Sequence, residues 1–299
     1  MDSVRLALIQ LRTVDSKAAN LNRARELVVE AAAQGAKIVV LPECFNMPYG
    51  IDMYEEYAEE IDLVHPSETI EMLSALAKDA GIYLVGGSIL ERLPKDDGST
   101  AIFNTSTVWD PSGALIAKHR KLHLFAIDYK GRKFDEADVL DAGDSMTEFA
   151  TPWGRFGVAV CYDVRFPELA MAAARNGCVG MVYPCAFNTR IGPPHWDLLL
   201  RTRAVDNLMF VAGCNPALNE DAEYHAYGHS TIVDPLASVV ATSDTAEAIV
   251  AADLDLSLIR AARTSIPIYA HKRADVYADV RRRPAAEDLG SLPRSPASD

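Results

Sequence analysis

Apolar residues along this chain return in two alternating rhythms. Short, nearly continuous apolar runs at 4–10 and 36–41 read as buried strands, and between them the segment 16–33 has apolar positions at helical spacing. The pairing recurs at 67–80, a helix opened by the capping-type start Ser-Glu-Thr-Ile-Glu, and at 82–86, a strand closed by Gly86-Gly87. Residues 101–110 and 114–119 read as antiparallel strands around the turn Asp110-Pro111-Ser112-Gly113. The second half continues the alternation with strand 157–160, helix 167–176, strand 180–183, helix 194–207 and strand 209–213. Strands at 230–233, 238–242 and 248–252 follow, then a helix near 256–264. Strands this apolar, interleaved with helices, predict an α/β fold whose sheets are covered on their outer faces.

Composition narrows the classes of function. The chain has 299 residues, 49% of them apolar, with 29 Lys and Arg against 42 Asp and Glu for a formal charge of −13. No linker divides it, so one compact domain over residues 1–280 is expected. Residues 281–299 run Arg-Arg-Arg-Pro into Pro, Ala, Ser and acidic residues, a composition that cannot bury a core and predicts a mobile tail. An acidic balance without a basic block removes the long-range attraction to phosphate backbones and anionic lipid, which argues against nucleic-acid and membrane partners. No run approaches 18 apolar residues, and Met-Asp-Ser-Val-Arg enters the first strand without the layout of a signal peptide. Five scattered cysteines, Cys44, Cys161, Cys178, Cys185 and Cys214, are not a disulfide framework, and a reducing, cytoplasmic compartment is expected.

Candidate chemistry gathers at strand ends. Phosphate-loop, dinucleotide, zinc-protease and CxxC patterns are absent, and Gly228-His229-Ser230-Thr231-Ile232 lacks the last glycine of a nucleophile elbow. His225 and His229 could share a metal only on a helix, whereas their surroundings read as loop running into strand. Cys44, Cys161, Cys185 and Cys214 each follow a buried run, at the sheet edge where α/β proteins bind ligands. A buried cysteine is ordinarily a small hydrophobe, so position alone does not choose among them. Cys161 is distinguished by the polar turn Tyr162-Asp163-Val164-Arg165 that follows it, the setting a nucleophilic thiolate wants. Glu43, in Leu41-Pro42-Glu43-Cys44-Phe45, and Lys121, in Lys118-His119-Arg120-Lys121-Leu122-His123, place charges where strands end. Either alone would read as a solvated surface group.

Taken together, Leu-Pro-Glu43, His-Arg-Lys121-Leu-His and Val-Cys161-Tyr-Asp-Val-Arg-Phe-Pro-Glu resemble the Glu, Lys, Cys signature of the nitrilase, or carbon–nitrogen hydrolase, superfamily. The resemblance runs over about residues 3–280. Phe187-Asn188, His195-Trp196, Gly228-His229-Ser230-Thr231 and Ile266-Pro267-Ile268 are most similar to its ω-amidase branch. It implies a four-layer α-β-β-α sandwich, catalysis by Glu43, Lys121 and Cys161, and a second glutamate, Glu136, that positions the site. Association into a homodimer or larger homo-oligomer is implied as well.

The activity so implied is hydrolysis of the terminal amide of small dicarboxylic acid monoamides such as α-ketoglutaramate and α-ketosuccinamate, without metal or organic cofactor. Sister branches act on deaminated glutathione, carbamoyl amines or aliphatic amides. Glu43 serves as base, Cys161 as nucleophile, and Lys121 with the Tyr162 backbone N–H as oxyanion donors. Phe187 and Asn188 fall in the substrate region. Arg165 and Arg190 are candidates to grip a substrate carboxylate, because a guanidinium binds one bidentately. Arg190 departs from the small hydroxyl residue of that branch, and Arg281–Arg283 is unfamiliar in it. A non-catalytic scaffold of the same fold and a metal-dependent hydrolase built on the histidines are the competing readings.

Overall fold

The computed structural model describes residues 2–95, 97–129, 132–273 and 275–276; the expected tail at 281–299 lies outside them. The first half runs β1 (Ser3–Gln10), α1 (Lys17–Ala33), β2 (Ile38–Val40), α2 (Tyr54–Tyr57), α3 (Glu68–Ala80), β3 (Tyr83–Val85), β4 (Ile89–Pro94), β5 (Thr100–Trp109) and β6 (Leu115–Arg120). A hairpin, β7 (Ala126–Tyr129) and β8 (Arg132–Asp135), leads to β9 (Thr147–Thr151), β10 (Gly154–Val158), α4 (Pro167–Arg175), β11 (Cys178–Pro184) and α5 (Gly192–Asn207). The chain closes with β12 (Phe210–Cys214), β13 (Thr231–Val233), β14 (Val239–Thr242), β15 (Ala248–Asp255), α6 (Ser257–Ser265) and α7 (Ile268–His271).

Local chemistry sets the helix starts. Ser16 accepts the Ala19 N–H and Ser67 accepts the Ile70 N–H, each satisfying an amide that the first helical turn leaves open. Pro167 begins α4, where a missing N–H costs nothing. At the far end of α3, Gly81 adopts φ 62°, the left-handed conformation that closes a helix without a Cβ clash.

The strands form two principal sheets. One has the order β15-β1-β2-β3-β5-β4 with β6 beside β5, and the other β14-β13-β12-β11-β10-β9. Each contains a parallel trio, β1-β2-β3 and β10-β11-β12, flanked by antiparallel strands.

The core divides into layers. Leu21, Leu27 and Val28 of α1 and Leu73 and Leu76 of α3 pack with Ala7, Ile9 and Val39 of the first sheet. Leu169 and Ala173 of α4 and Trp196 and Leu200 of α5 pack with Met181, Tyr183 and Val211 of the second. The opposite faces of the same strands, Leu6, Leu8, Ile38 and Val40 against Phe156, Val158, Val182 and Phe210, meet in a third cluster between the sheets. Strands buried on both faces explain the near-continuous apolar runs. The result is the four-layer α-β-β-α sandwich.

Candidate active site

Three strand ends converge between the two sheets. Glu43 follows β2 of the first sheet, and its N–H donates to the Cys185 carbonyl just past β11 of the second, at 3.2 Å. Lys121 follows β6, where its N–H donates to the Asn104 carbonyl at 2.8 Å. Cys161 follows β10 and opens the short 3-10 turn Cys161–Arg165. Its φ of 46° lies in the left-handed region, which a residue with a Cβ enters only when its surroundings compel it. Such enforced conformations concentrate at functional sites.

Lys121 is fully buried, and so are Glu43 and Glu136 around it. Its ammonium lies 3.0 Å from Glu43 Oε1 and 2.9 Å from the Glu136 carboxylate. Asn104 Nδ2 donates to the same Glu43 oxygen at 2.8 Å, and the Phe125 N–H donates to Glu136 Oε2 at 2.7 Å. Tyr49 and Tyr54 bring their hydroxyls to 3.5 Å from Glu136 Oε1. An ammonium has three donors, so the two carboxylates leave one for a further acceptor. Glu43 Oε2 is buried without a bonded partner among the described residues, and the Cys161 thiol is a neighbour of the Glu43 carboxyl group.

This enclosure sets the protonation states. Burial raises the pKa of Glu43 and Glu136 adds to the rise, with Lys121 and the thiol opposing them. For Lys121 burial acts to lower the pKa, but Glu136 and Glu43 outweigh it and hold the ammonium charged. Burial and the neighbouring Cys185 thiol and Glu43 carboxylate push the Cys161 thiol well up, against Lys121. A resting thiol beside a carboxylate of raised basicity is arranged for proton transfer as attack occurs.

Above this group opens a cavity of about 660 Å³. Its walls bring together every residue expected to touch substrate: Tyr162, Arg165, Phe187, Asn188 and Arg190, with Cys161 among them. Asn188 has a structural task as well, its Oδ1 accepting the N–H groups of Arg190 (3.0 Å) and Ile191 (3.1 Å) at the start of α5. Arg165 approaches the rings of Phe187 (5.4 Å) and Tyr162 (5.8 Å), and its Nη2 lies 3.3 Å from His195 Nδ1. Among the described residues its side chain thus meets the imidazole of His195, itself a cavity-lining residue, and no acid. Arg190 is exposed at the cavity rim.

Of the other cysteines, Cys185 is a thiol neighbour of Cys161, whereas Cys214 and Cys178 lie elsewhere. Cys214 is the last residue of β12, not one past it, and its single S–H lies between two acceptors, the Ile9 and Val40 carbonyls, each 3.3 Å from the sulfur. Cys178 is buried at the start of β11, its thiol pushed up to about 12 mainly by burial. His225 and His229 lie in the loop entering β13, as the sequence reads, and His229 accepts the Trp196 indole N–H through its carbonyl.

Several participants carry no local sequence signal. Asn104 is an ordinary polar residue within β5, and Tyr49, Ile127 and Tyr224 reach the cavity from separate segments. His195 lies inside a motif, but only its contact with Arg165 shows what it does.

The carbon–nitrogen hydrolase family model matches residues 5–264. A hydrolase of Schizosaccharomyces pombe is 53% identical over 277 residues, 92% of this chain and 84% of that one. Human omega-amidase NIT2 is 49% identical over 285 residues, 95% of this chain and 100% of that one. Among solved structures, Saccharomyces cerevisiae Nit3, a member of branch 10 of the nitrilase superfamily, superposes with a TM-score of 0.84 at 44% identity, covering 92% of this chain and 97% of that one. With the fold, the buried Glu-Lys-Glu group and these likenesses in agreement, the chain belongs to the carbon–nitrogen hydrolase family, in the omega-amidase branch of the nitrilase superfamily.

Proposed function

We propose that this amidohydrolase releases ammonia from the terminal amide of small dicarboxylic acid monoamides, such as α-ketoglutaramate and α-ketosuccinamate, through a thioester on Cys161. The observation that carries the reading is the buried Lys121 ammonium between Glu43 and Glu136, one donor still available, beside a thiol that lines an otherwise largely apolar cavity. Glu43 takes the Cys161 proton as the sulfur attacks the amide carbon. The oxyanion is held by the remaining Lys121 donor and the Tyr162 N–H, which belongs to the first turn of a 3-10 helix and has no helical acceptor. Glu43 then passes the proton to the departing nitrogen, and ammonia leaves as the C–N bond breaks. Next it takes a proton from water; hydroxide attacks the thioester, the C–S bond breaks, and the proton returns to sulfur. Glu136 keeps Lys121 charged and aimed throughout.

Arg165, with His195 beside it, is suited to hold the free carboxylate at the cavity wall, and Arg190 at the rim is a second candidate. The cavity volume supports a second reading as well. About 660 Å³ lies in the range of drug-sized ligands, larger than a five-carbon monoamide needs, which favours a longer acyl group such as that of deaminated glutathione. Ammonia release across ω-amides of increasing length, carbamoyl amines and aliphatic amides tests both. Preference for short ω-amidic acids upholds the first, preference for extended acyl groups moves the substrate to the second, and turnover of neutral amides alone rejects the carboxylate clamp.

We further propose a homodimer or larger assembly. Leu198 on α5 is 61% exposed and Ile266 beyond α6 is 51% exposed, apolar surface that association would cover. Sedimentation at micromolar concentration is expected to give a species heavier than the 32.6 kDa chain; a monomer contradicts this. The five free, buried thiols agree with residence in a reducing, cytoplasmic compartment.

A further inference from the structure

We infer that Asp163 is a positioning residue that fixes the nucleophile and the lysine relative to one another. Its carboxylate is fully buried yet takes no part in the proton transfers described above. Oδ2 accepts the Val160 N–H at 3.0 Å and lies 3.1 Å from His119 Nε2. Oδ1 accepts the His123 N–H at 3.0 Å and lies 2.7 Å from His123 Nδ1. Val160 immediately precedes Cys161, while His119 and His123 stand on either side of Lys121. One side chain therefore ties the turn carrying the thiol to the strand end carrying the ammonium.

An ionised carboxylate only accepts hydrogen bonds, so all four groups around it must be donors, and both ring nitrogens facing it carry protons. On the far side of His119, Nδ1 lies 3.2 Å from Thr147 Oγ1, whose hydroxyl donates to the Lys118 carbonyl. The His123 ring stacks on Phe166 with centroids 3.5 Å apart and planes 8° apart, and Phe166 in turn packs edge-on against Tyr162. The link thus extends from the lysine segment across Asp163 to both sides of Cys161. Burial acts to raise the Asp163 pKa, but hydrogen bonds from His119 and His123 overcome it and hold the carboxyl well below the usual range.

The consequence concerns geometry at the reacting carbon. Thiol and oxyanion donor must be placed together, and a displacement of about 1 Å costs on the order of 10²-fold in rate. Asp163→Asn keeps the shape but substitutes donors for one of the two acceptor oxygens, leaving at least one of the four bonds broken. The inference rests on Cys161 and Lys121 acting together, and the test has an arm that needs no substrate.

Asp163→Asn and wild type are compared for kcat and KM on an ω-amide, and for the second-order rate of Cys161 alkylation by iodoacetamide at fixed pH. The expected result is a kcat about 10²-fold lower with KM changed by much less, and an alkylation rate shifted several-fold. Wild-type kcat and alkylation in a protein of merely lowered melting temperature would overturn the inference, because that is what a purely structural carboxylate predicts. Should Asp163→Asn fail to fold, His123→Gln removes one bond from a side chain that is 33% exposed. It is expected to lower kcat about tenfold by the same misalignment, and an unchanged kcat there would equally overturn the inference.

Discussion

Lys121 holds a charge away from bulk solvent, because two carboxylates supply what solvent would have supplied. Replacing it with alanine removes the proposed oxyanion donor and leaves two buried carboxylates facing each other. A loss of about 10²–10³ in kcat is expected from the donor alone, measured as ammonia release from correctly folded protein. In the proposed mechanism Glu43 must be ionised to accept the thiol proton, and burial raises its pKa above the ordinary glutamate value of 4.5. The acid limb of kcat/KM is therefore expected above that value, activity falling as pH drops through it; a limb at or below 4.5 would contradict the assignment. At the cavity wall, Arg165→Lys exchanges a two-pronged donor for a point charge. We expect KM for acidic amides to rise about tenfold, roughly 1.4 kcal/mol of binding, with neutral amides spared. Glu43, Lys121 and Cys161 were legible because each sits in a distinctive local motif. Glu136 was legible only through the family likeness, and Asn104 not at all, since its importance arises from a bond to a residue on another strand.

Strand alternation explains why a cluster of four basic or imidazole groups, Lys118 to Lys121, divides cleanly. His119 and Lys121 share the inward face and are buried, while Lys118 and Arg120 turn the other way onto Glu91, at 2.6 and 2.8 Å. The period of two was present in the sequence; the acid that reaches them from β4, on the other side of β5, was not. That strand was missed because Ile89–Pro94 carries Glu91 and Arg92 and ends in proline, and β9 because Thr147–Thr151 is a largely polar flanking strand. Hairpin β7–β8 and the four-residue helices α2 and α7 fall below the length at which periodicity speaks. Gly87, read only as a strand stop, has a closer connection with the site. With φ of 59°, it lies where a Cβ would collide with the Pro42 carbonyl and press on Leu41 and Phe45, the residues around Glu43. Gly87→Ala is expected to destabilise the protein by about 1–3 kcal/mol in chemical denaturation and to lower kcat, whereas unchanged stability and rate would remove Gly87 from this role.

At the scale of the molecule, layer order follows from apolar faces, and these were readable: strands buried on both sides demand cover on both sides. Pairing was not readable. β15 returns to β1 in register from Ser3↔Asp255 to Gln10↔Ala248, a partnership between opposite ends of the described chain that no local pattern encodes. The opposition of the two sheets is equally non-local, and it is what brings Glu43 from one sheet to Cys161 on the other. The central claim is that this opposition creates a thioester-forming site. The most direct test is to quench turnover of an ω-amide rapidly and locate the acyl group by mass spectrometry, with hydroxylamine added in parallel to intercept a thioester. The acyl mass on the peptide bearing Cys161, lost to hydroxylamine as the hydroxamate and absent from Cys161→Ala, is the predicted result. Acyl transfer to a different residue, or undiminished ammonia release by Cys161→Ala, would contradict it.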